Sequence, residues 1–196
     1  MIEYPKYIDV EGKLYEINTD FRVAIECNRI AEDETIGDME RSLAIIYLLL
    51  GEEALNDTDH YNYILQMLEK YLMCGKERDL DNKEEPDLDY IEDMDYIEAS
   101  FMSDFNISLE DTKMHWWKFN KLMNGLSNSE FGNCCVLNRI RNLRNFDVNE
   151  IKDQKERQKI IDMKRKVELK KNRKKHTIEQ QKSVNELLSK INFRKE

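Results

Sequence analysis

Apolar residues recur along this chain at helical spacing, except at its start. There Ile8 and Val10 lead to Glu11-Gly12, and Leu14 and Ile17 follow, with Tyr7 and Tyr15 alongside. That alternation reads as two short strands around a glycine turn. A lone hairpin is marginal in water, so it has to pack on something. Phe21, Ala24, Ile25 and Asn28 then share one face of a helix predicted over about 21–31, with Asn18, Thr19 or Asp20 as its cap. Asp38 caps the next helix, Met39 to Leu50, which is apolar nearly all round and stops at Gly51. A helix of that composition belongs in the centre of a core. Another spans about 60–74, capped near 57–59 and closed by Gly75. The stretch 76–89, with Pro86, reads as an acidic surface loop, after which Tyr90, Met94, Ile97, Phe101 and Phe105 mark a further helix.

Ser108-Leu109-Glu110-Asp111 has the form of a capping box and predicts the start of a helix that Gly125 ends. Leu109, Thr112, Trp116, Phe119 and Met123 would form its stripe, widened by Met114 and Trp117. The two adjacent indoles point about 100° apart on a helix and are expected to tie it to more than one neighbour. A helix over about 129–143 follows, with Phe131, Cys135, Ile140 and Leu143 inward, and then a joint at 145–149. Beyond Ile151 the only apolar contacts are Ile160, Met163, Val167 and Leu169, before a last amphipathic segment, Ile178 to Ile191. The expected fold is mainly α: a compact helical bundle over residues 1–150 with a small N-terminal β-hairpin, and a charged, basic, helical C-terminal extension over 151–196.

Composition supports this reading. The 196 residues hold only six glycines and two prolines, too few for the frequent turns of a β-sandwich. Neither GxGxxG nor GxxxxGK[ST] occurs, which disfavours ordinary dinucleotide and P-loop chemistry. The run Leu43 to Leu50 is less than half of the roughly 20 residues that a membrane span requires. No secretory leader is read at Tyr4-Pro5-Lys6, so a cytoplasmic protein is expected. Cys27, Cys74, Cys134 and Cys135 lack CxxC spacing and read as free thiols.

Charge is strongly segmented. Residues 77–111 carry fourteen acids against Arg78 and Lys83, a net of −12, whereas 152–196 carry sixteen bases against seven acids, a net of +9. Opposite patches of this strength pair with each other, with a second copy or with a partner.

Candidate chemistry is sparse. His115 is the only histidine in a strongly patterned helix, and no spacing nominates a catalytic partner for it. Asp79-Leu80-Asp81 opens like a calcium loop, but Lys83 and Glu84 stand where a ligand and a glycine are needed. Pro86-Asp87 with Asp111-Thr112-Lys113 echoes a nuclease pattern that belongs on adjacent strands, and both pieces lie at helix starts. Lys170 to Lys175 has the charge density of a phosphate contact, without the interleaved aromatics that stack on bases. The stripe Val184, Leu187, Leu188 and Ile191 would seek another helix, through self-association, capture of a client or folding back.

Several runs together resemble a bacteriophage family known by the name of gene product fifteen. They are Tyr4-Pro5-Lys6-Tyr7-Ile8 with Asp20-Phe21-Arg22, Tyr71-Leu72-Met73-Cys74-Gly75-Lys76, the acidic run ending Asp95-Tyr96-Ile97, His115-Trp116-Trp117-Lys118-Phe119, Gly125-Leu126-Ser127, Leu137 to Leu143 and Lys152-Asp153-Gln154-Lys155. The resemblance covers about residues 4–170. It implies a non-enzymatic tail assembly chaperone of long-tailed phages and prophages, without cofactor or metal. Such a chaperone works in the host bacterial cytoplasm and is absent from the mature virion. Its partner would be the tape measure protein, with the tail tube subunit as a further partner, and no membrane is involved. Candidate contact residues are His115, Trp117, Asp87, Asp89, Glu92 and Asp93, with Val184, Leu187, Leu188 and Ile191 of the last segment; a buried structural role for both tryptophans competes with this. The alternatives are a nucleic-acid-binding regulator using 170–175 and a structural tail or adaptor component.

Overall fold

The computed structural model describes residues 4–76, 85–128, 133–173, 178 and 182, and it is mainly helical with an N-terminal two-stranded antiparallel hairpin. Strands β1 (Tyr7–Val10) and β2 (Lys13–Glu16) pair from Tyr7 opposite Glu16 to Val10 opposite Lys13. Glu11 and Gly12 both have positive φ, 52° and 90°, the mirror-image turn that matches strand twist. The register puts Ile8 and Tyr15 on the buried face and Leu14 outward beside Asp9, so Leu14 is exposed although it is apolar.

Helix α1 (Phe21–Glu32) starts where the Asp20 carboxylate accepts from Arg22 N–H at 2.9 Å. Cys27 and Ile30 join Phe21, Ala24 and Ile25 on its buried face, and Asn28 is half-buried. Helix α2 (Asp38–Leu50) begins one residue earlier than predicted, because Glu40 reaches back to Gly37 N–H at 3.0 Å and Asp38 becomes helical. It packs on α1 and on α4 (Tyr61–Leu72), with the one-turn α3 (Glu52–Leu55) between them in sequence. Among the described residues, Ile46 and Leu49 are buried in α2 while Leu43, Ala44, Ile45, Leu48 and Leu50 are half-buried, so it does not lie in the centre of the core. Helix α5 (Met94–Phe105) precedes α6 (Trp116–Asn124), which Gly125 ends. α6 does not start at Ser108. The Ser108 hydroxyl bonds the Asp111 side chain at 3.0 Å, and the chain stays non-helical until His115 caps the helix.

Two compact units are present. One takes the described residues of Met1–Asn82 and Ser100–Leu126, and the other those of Lys83–Ala99 and Ser127–Glu196. The first is built around an aromatic stack, with ring centroids 4.6 Å apart for Phe21–Phe119, 5.2 Å for Phe101–Phe119 and 5.8 Å for Trp116–Phe119. Ile46, Leu49, Ile64 and Leu68 are also fully buried in this unit, each worth about 1.5–3 kcal/mol.

The second unit holds helices α7 (Val136–Asn145) and α8 (Gln154–Val167), which pack together, and it buries Ile97, Leu137 and Leu169. Helix α7 starts later than predicted, where the Cys135 sulfur accepts from Asn138 N–H at 3.4 Å, and Leu137 and Asn138 take the inward positions while Ile140 and Leu143 are half-buried. Phe131 lies outside the described residues. The division differs from the expected boundary at 150, and residues 167–172 bond back to 86–93 and to Arg144. Among the described residues no helix is long and apolar enough to cross a membrane.

Candidate partner-binding surfaces

The tryptophan run is anchored at both ends. Residues 114–116 run beside 19–21, with Trp116 N–H donating to the Thr19 carbonyl at 2.8 Å and Phe21 N–H to the Met114 carbonyl at 3.0 Å. His115 Nδ1 accepts from Trp117 N–H at 3.0 Å, while Nε2 lies 2.8 Å from the Pro5 carbonyl. A carbonyl only accepts and an amide N–H only donates, so the proton sits on Nε2 and the imidazole is neutral. Burial lowers the His115 pKa from its usual 6.5, the Pro5 hydrogen bond opposes this, and the charge of Lys6 lowers it further. Tyr4 stacks on the ring at 5.0 Å and Tyr71 meets it edge-on at 6.0 Å.

Both indoles serve one helix end. Trp116 Nε1 donates to the Leu72 carbonyl at 2.8 Å and Trp117 Nε1 to the Tyr71 carbonyl at 2.9 Å. The last carbonyls of a helix have no partner within it, so adjacent indoles close the end of α4. Both indole N–H groups thus go to the same helix end. Gly75 finishes the arrangement at φ 75°, where a Cβ would stand 3.3 Å from the Trp117 ring. Trp116 is buried and Trp117 half-buried.

The acidic residues meet this chain's own bases inside the second unit. Asp93 is fully buried, and both its oxygens accept from Arg144 at 2.7 Å. Arg144 also donates to the Asp87 carbonyl at 2.8 Å and the Val167 carbonyl at 2.7 Å. The Asp87 carboxylate takes Arg141 at 3.1 and 3.2 Å and Asn145 at 2.9 Å. Asp89 accepts from Ile91 and Glu92 N–H and lies 3.8 Å from Lys171, and Glu92 accepts from Lys170 N–H at 3.2 Å. Asp87, Asp89, Glu92 and Asp93 are thus brought together, and each already has an internal partner. The described part of the basic cluster is engaged too, with Asn172 on the Pro86 carbonyl and Arg173 3.8 Å from Glu168. Val184, Leu187, Leu188 and Ile191 lie outside the described residues; of that segment Ile178 and Lys182 are helical, and Ile178 is exposed.

A second histidine has the opposite environment. Asp57 accepts from the Tyr15 hydroxyl at 2.5 Å and lies 2.6 Å from His60 Nδ1, while Glu11 sits 3.4 Å from His60 Nε2. The hydrogen bond to Asp57 raises the His60 pKa. The Asp–His pair has the form used in nucleophilic triads, but the far nitrogen faces a carboxylate where a nucleophile is required. It fastens the hairpin turn to the start of α4. Burial pushes the Cys27 thiol up to about 12 and Cys74 to about 11, so these two thiols stay protonated and weakly reactive at neutral pH. Among the described residues no group of three or more His, Cys, Asp or Glu is placed to hold a metal ion.

The surface that sequence reading missed is on α2. Met39, Leu43, Tyr47 and Leu50 follow one another at steps of four, four and three, on one side of the helix. Met39 is 65% and Tyr47 49% exposed, and Leu43 and Leu50 are half-buried. The stripe runs into an open groove of about 980 Å³ lined by Ile17, Thr19, Tyr47, Leu50 and His115 among others. Its sequence frame is acidic, since residues 30–59 hold nine acids against Arg41. That frame was the available signal: a helix bound for a core centre is not usually bracketed by carboxylates.

The sequence profile of the family described as Bacteriophage Gp15 protein matches residues 2–169. The chain belongs to that family. Comparison with curated proteins and with solved structures gave no match.

Proposed function

We propose that this member of the bacteriophage Gp15 family is a tail assembly chaperone. It binds the tape measure protein through helix surface, keeps it soluble until the tail tube polymerises around it, and then leaves. It acts by contact alone, in the host cytoplasm, without a cofactor, and the tail tube subunit is a second partner. One observation carries the reading beyond the family: α2 leaves four apolar side chains at least partly open in an acidic frame. Contiguous apolar surface rimmed by charge marks a protein interaction site more often than a finished exterior.

Co-expression with the tape measure gene product of the same phage or prophage tests this. The expected result is a soluble complex on pull-down, and no trace of this chain in purified particles by mass spectrometry. A tape measure that stays insoluble and unretained beside the intact chain overturns the reading, and presence in particles points to a structural tail component instead. Neutralising the acidic run is a poor probe. Breaking a buried pair such as Asp93–Arg144 costs about 3–5 kcal/mol, so a loss of binding would not be separable from a loss of stability.

A further inference from the structure

We propose that Met39, Leu43, Tyr47 and Leu50 form the docking stripe of this protein, and that its occupant is a basic amphipathic helix of the client polypeptide. The inference rests on the chaperone reading for the word client; the chemistry of the occupant is read from the surface itself.

Helix α2 has thirteen residues and is about 20 Å long, at roughly 1.5 Å per residue. A straight face of that length, with apolar groups at helical steps, fits the matching face of a second helix laid along it. Ala44, the small residue beside Leu43, leaves room for close approach, and it is half-buried. The groove at the C-terminal end of the stripe continues the apolar contact past Leu50 to Ile17.

Charge selects among possible occupants. Glu32, Asp33, Glu34, Asp38 and Glu40 lead into the stripe, and Glu52 and Glu53 follow it. The side chains of Asp38 and Glu53 are 95% and 73% exposed, although Asp38 pairs with Arg41 and Glu53 lies 3.0 Å from Lys13, and the frame stays net acidic beyond these two pairs. A second copy docked stripe to stripe would set these carboxylates against their own equivalents. An anionic lipid surface is repelled in the same way. A helix with apolar residues on one face and Lys or Arg along its flanks meets both features at once.

The probe is a labelled 18-residue helical peptide of leucine and lysine, with all leucines on one face. Its control has glutamate in place of lysine. Fluorescence anisotropy with the full-length protein is expected to show binding of the lysine peptide, weakened by salt, and none of the control. The variant pair Met39→Glu and Tyr47→Glu, both at exposed positions, is expected to weaken binding roughly tenfold or more. This direction is diagnostic, because added acids would strengthen a merely electrostatic attraction. Met39→Ala with Tyr47→Ala should fall between, and circular dichroism checks that each variant is folded.

The same variants are then co-expressed with the tape measure protein. Loss of retention by the glutamate pair supports the proposal. If the intact chain retains the tape measure and the glutamate pair retains it equally, the stripe is not the docking surface, and the chaperone reading stands. If the intact chain fails to retain it while peptide binding depends on the stripe, the chaperone reading falls and the basic-helix surface stands. Sedimentation showing that the intact chain dimerises and that the glutamate pair is monomeric makes the stripe a homotypic interface and overturns the proposal.

Discussion

Helices α2 and α6 both carry apolar runs, and they end in different environments. In α6 the apolar groups come with polar handles that reach specific partners: two indole N–H groups on the end of α4, and His115 bridging Pro5 and Trp117. In α2 the run Leu43 to Leu50 is almost purely aliphatic, and only Ile46 and Leu49 are buried. Hydrophobicity brings both helices to the protein. What separates them is that α6 supplies donors to carbonyls that need them, which fixes one orientation, whereas α2 has more apolar surface than its neighbours can cover.

The largest effect that would test this contrast is at Trp116. Its side chain is buried, stacks on Phe119 and donates to the Leu72 carbonyl. Trp116→Ala is expected to cost about 3–5 kcal/mol, seen as a lower urea midpoint at unchanged slope. Trp116→Phe keeps most of the ring but leaves the carbonyl without its indole donor, for a smaller loss of about 1–3 kcal/mol. A loss below about 1 kcal/mol for the alanine variant would mean that the stack does not organise the first unit.

A smaller effect concerns the two histidines of that unit. His115 is held neutral by burial and by the N–H that points at Nδ1, so its folded pKa lies below 6.5. The stability this contributes is present above 6.5 and is lost as pH falls through the folded value. His60 is held charged by Asp57 and Glu11, so its folded pKa lies above 6.5. Its contribution is complete below 6.5 and is lost as pH rises through the folded value. NMR titration of the two imidazoles should give midpoints on opposite sides of 6.5, with the Trp117 amide shift following the lower one. A His115 midpoint above that of His60 would show that the cap on α6 is not formed as described.

Much of this was legible in the sequence. The hairpin, the helix order and the stops at Gly51 and Gly75 follow from local rules about alternation, capping and positive φ, and local rules need no knowledge of neighbours; Gly125 ends α6 at φ −93°. The start of α6 was not legible, because Ser108-Leu109-Glu110-Asp111 satisfies a capping pattern whose carboxylate in fact bonds the serine side chain. The true cap is an imidazole that depends on Pro5, more than a hundred residues away in sequence. Segmental charge announced that 77–111 and 152–196 could pair, but not that Asp93 and Arg144 would be the buried pair at the centre. Among candidate contact residues, His115 and Trp117 proved to be tied into the first unit and the four acids into the second. The stripe on α2 was misread because apolar residues all round a helix state how much surface wants covering, not whether this chain covers it.

The smallest expected effect is the most informative about α2. Met39 is 65% and Tyr47 49% exposed, so replacing either by serine removes only the part of the side chain that already lies against this chain. Met39→Ser and Tyr47→Ser should each cost no more than about 1 kcal/mol, the share expected for side chains that are half covered or less. Their combination should be additive, because the two positions lie eight residues, about 12 Å, apart along α2. Urea unfolding measures both. If the pair costs more than about 3 kcal/mol, these side chains are covered in solution by some part of this chain, and the face is no longer open to a partner. If the pair is neutral for folding while pull-down of the tape measure protein is lost, then α2 carries apolar surface for another polypeptide and α6 carries it for its own.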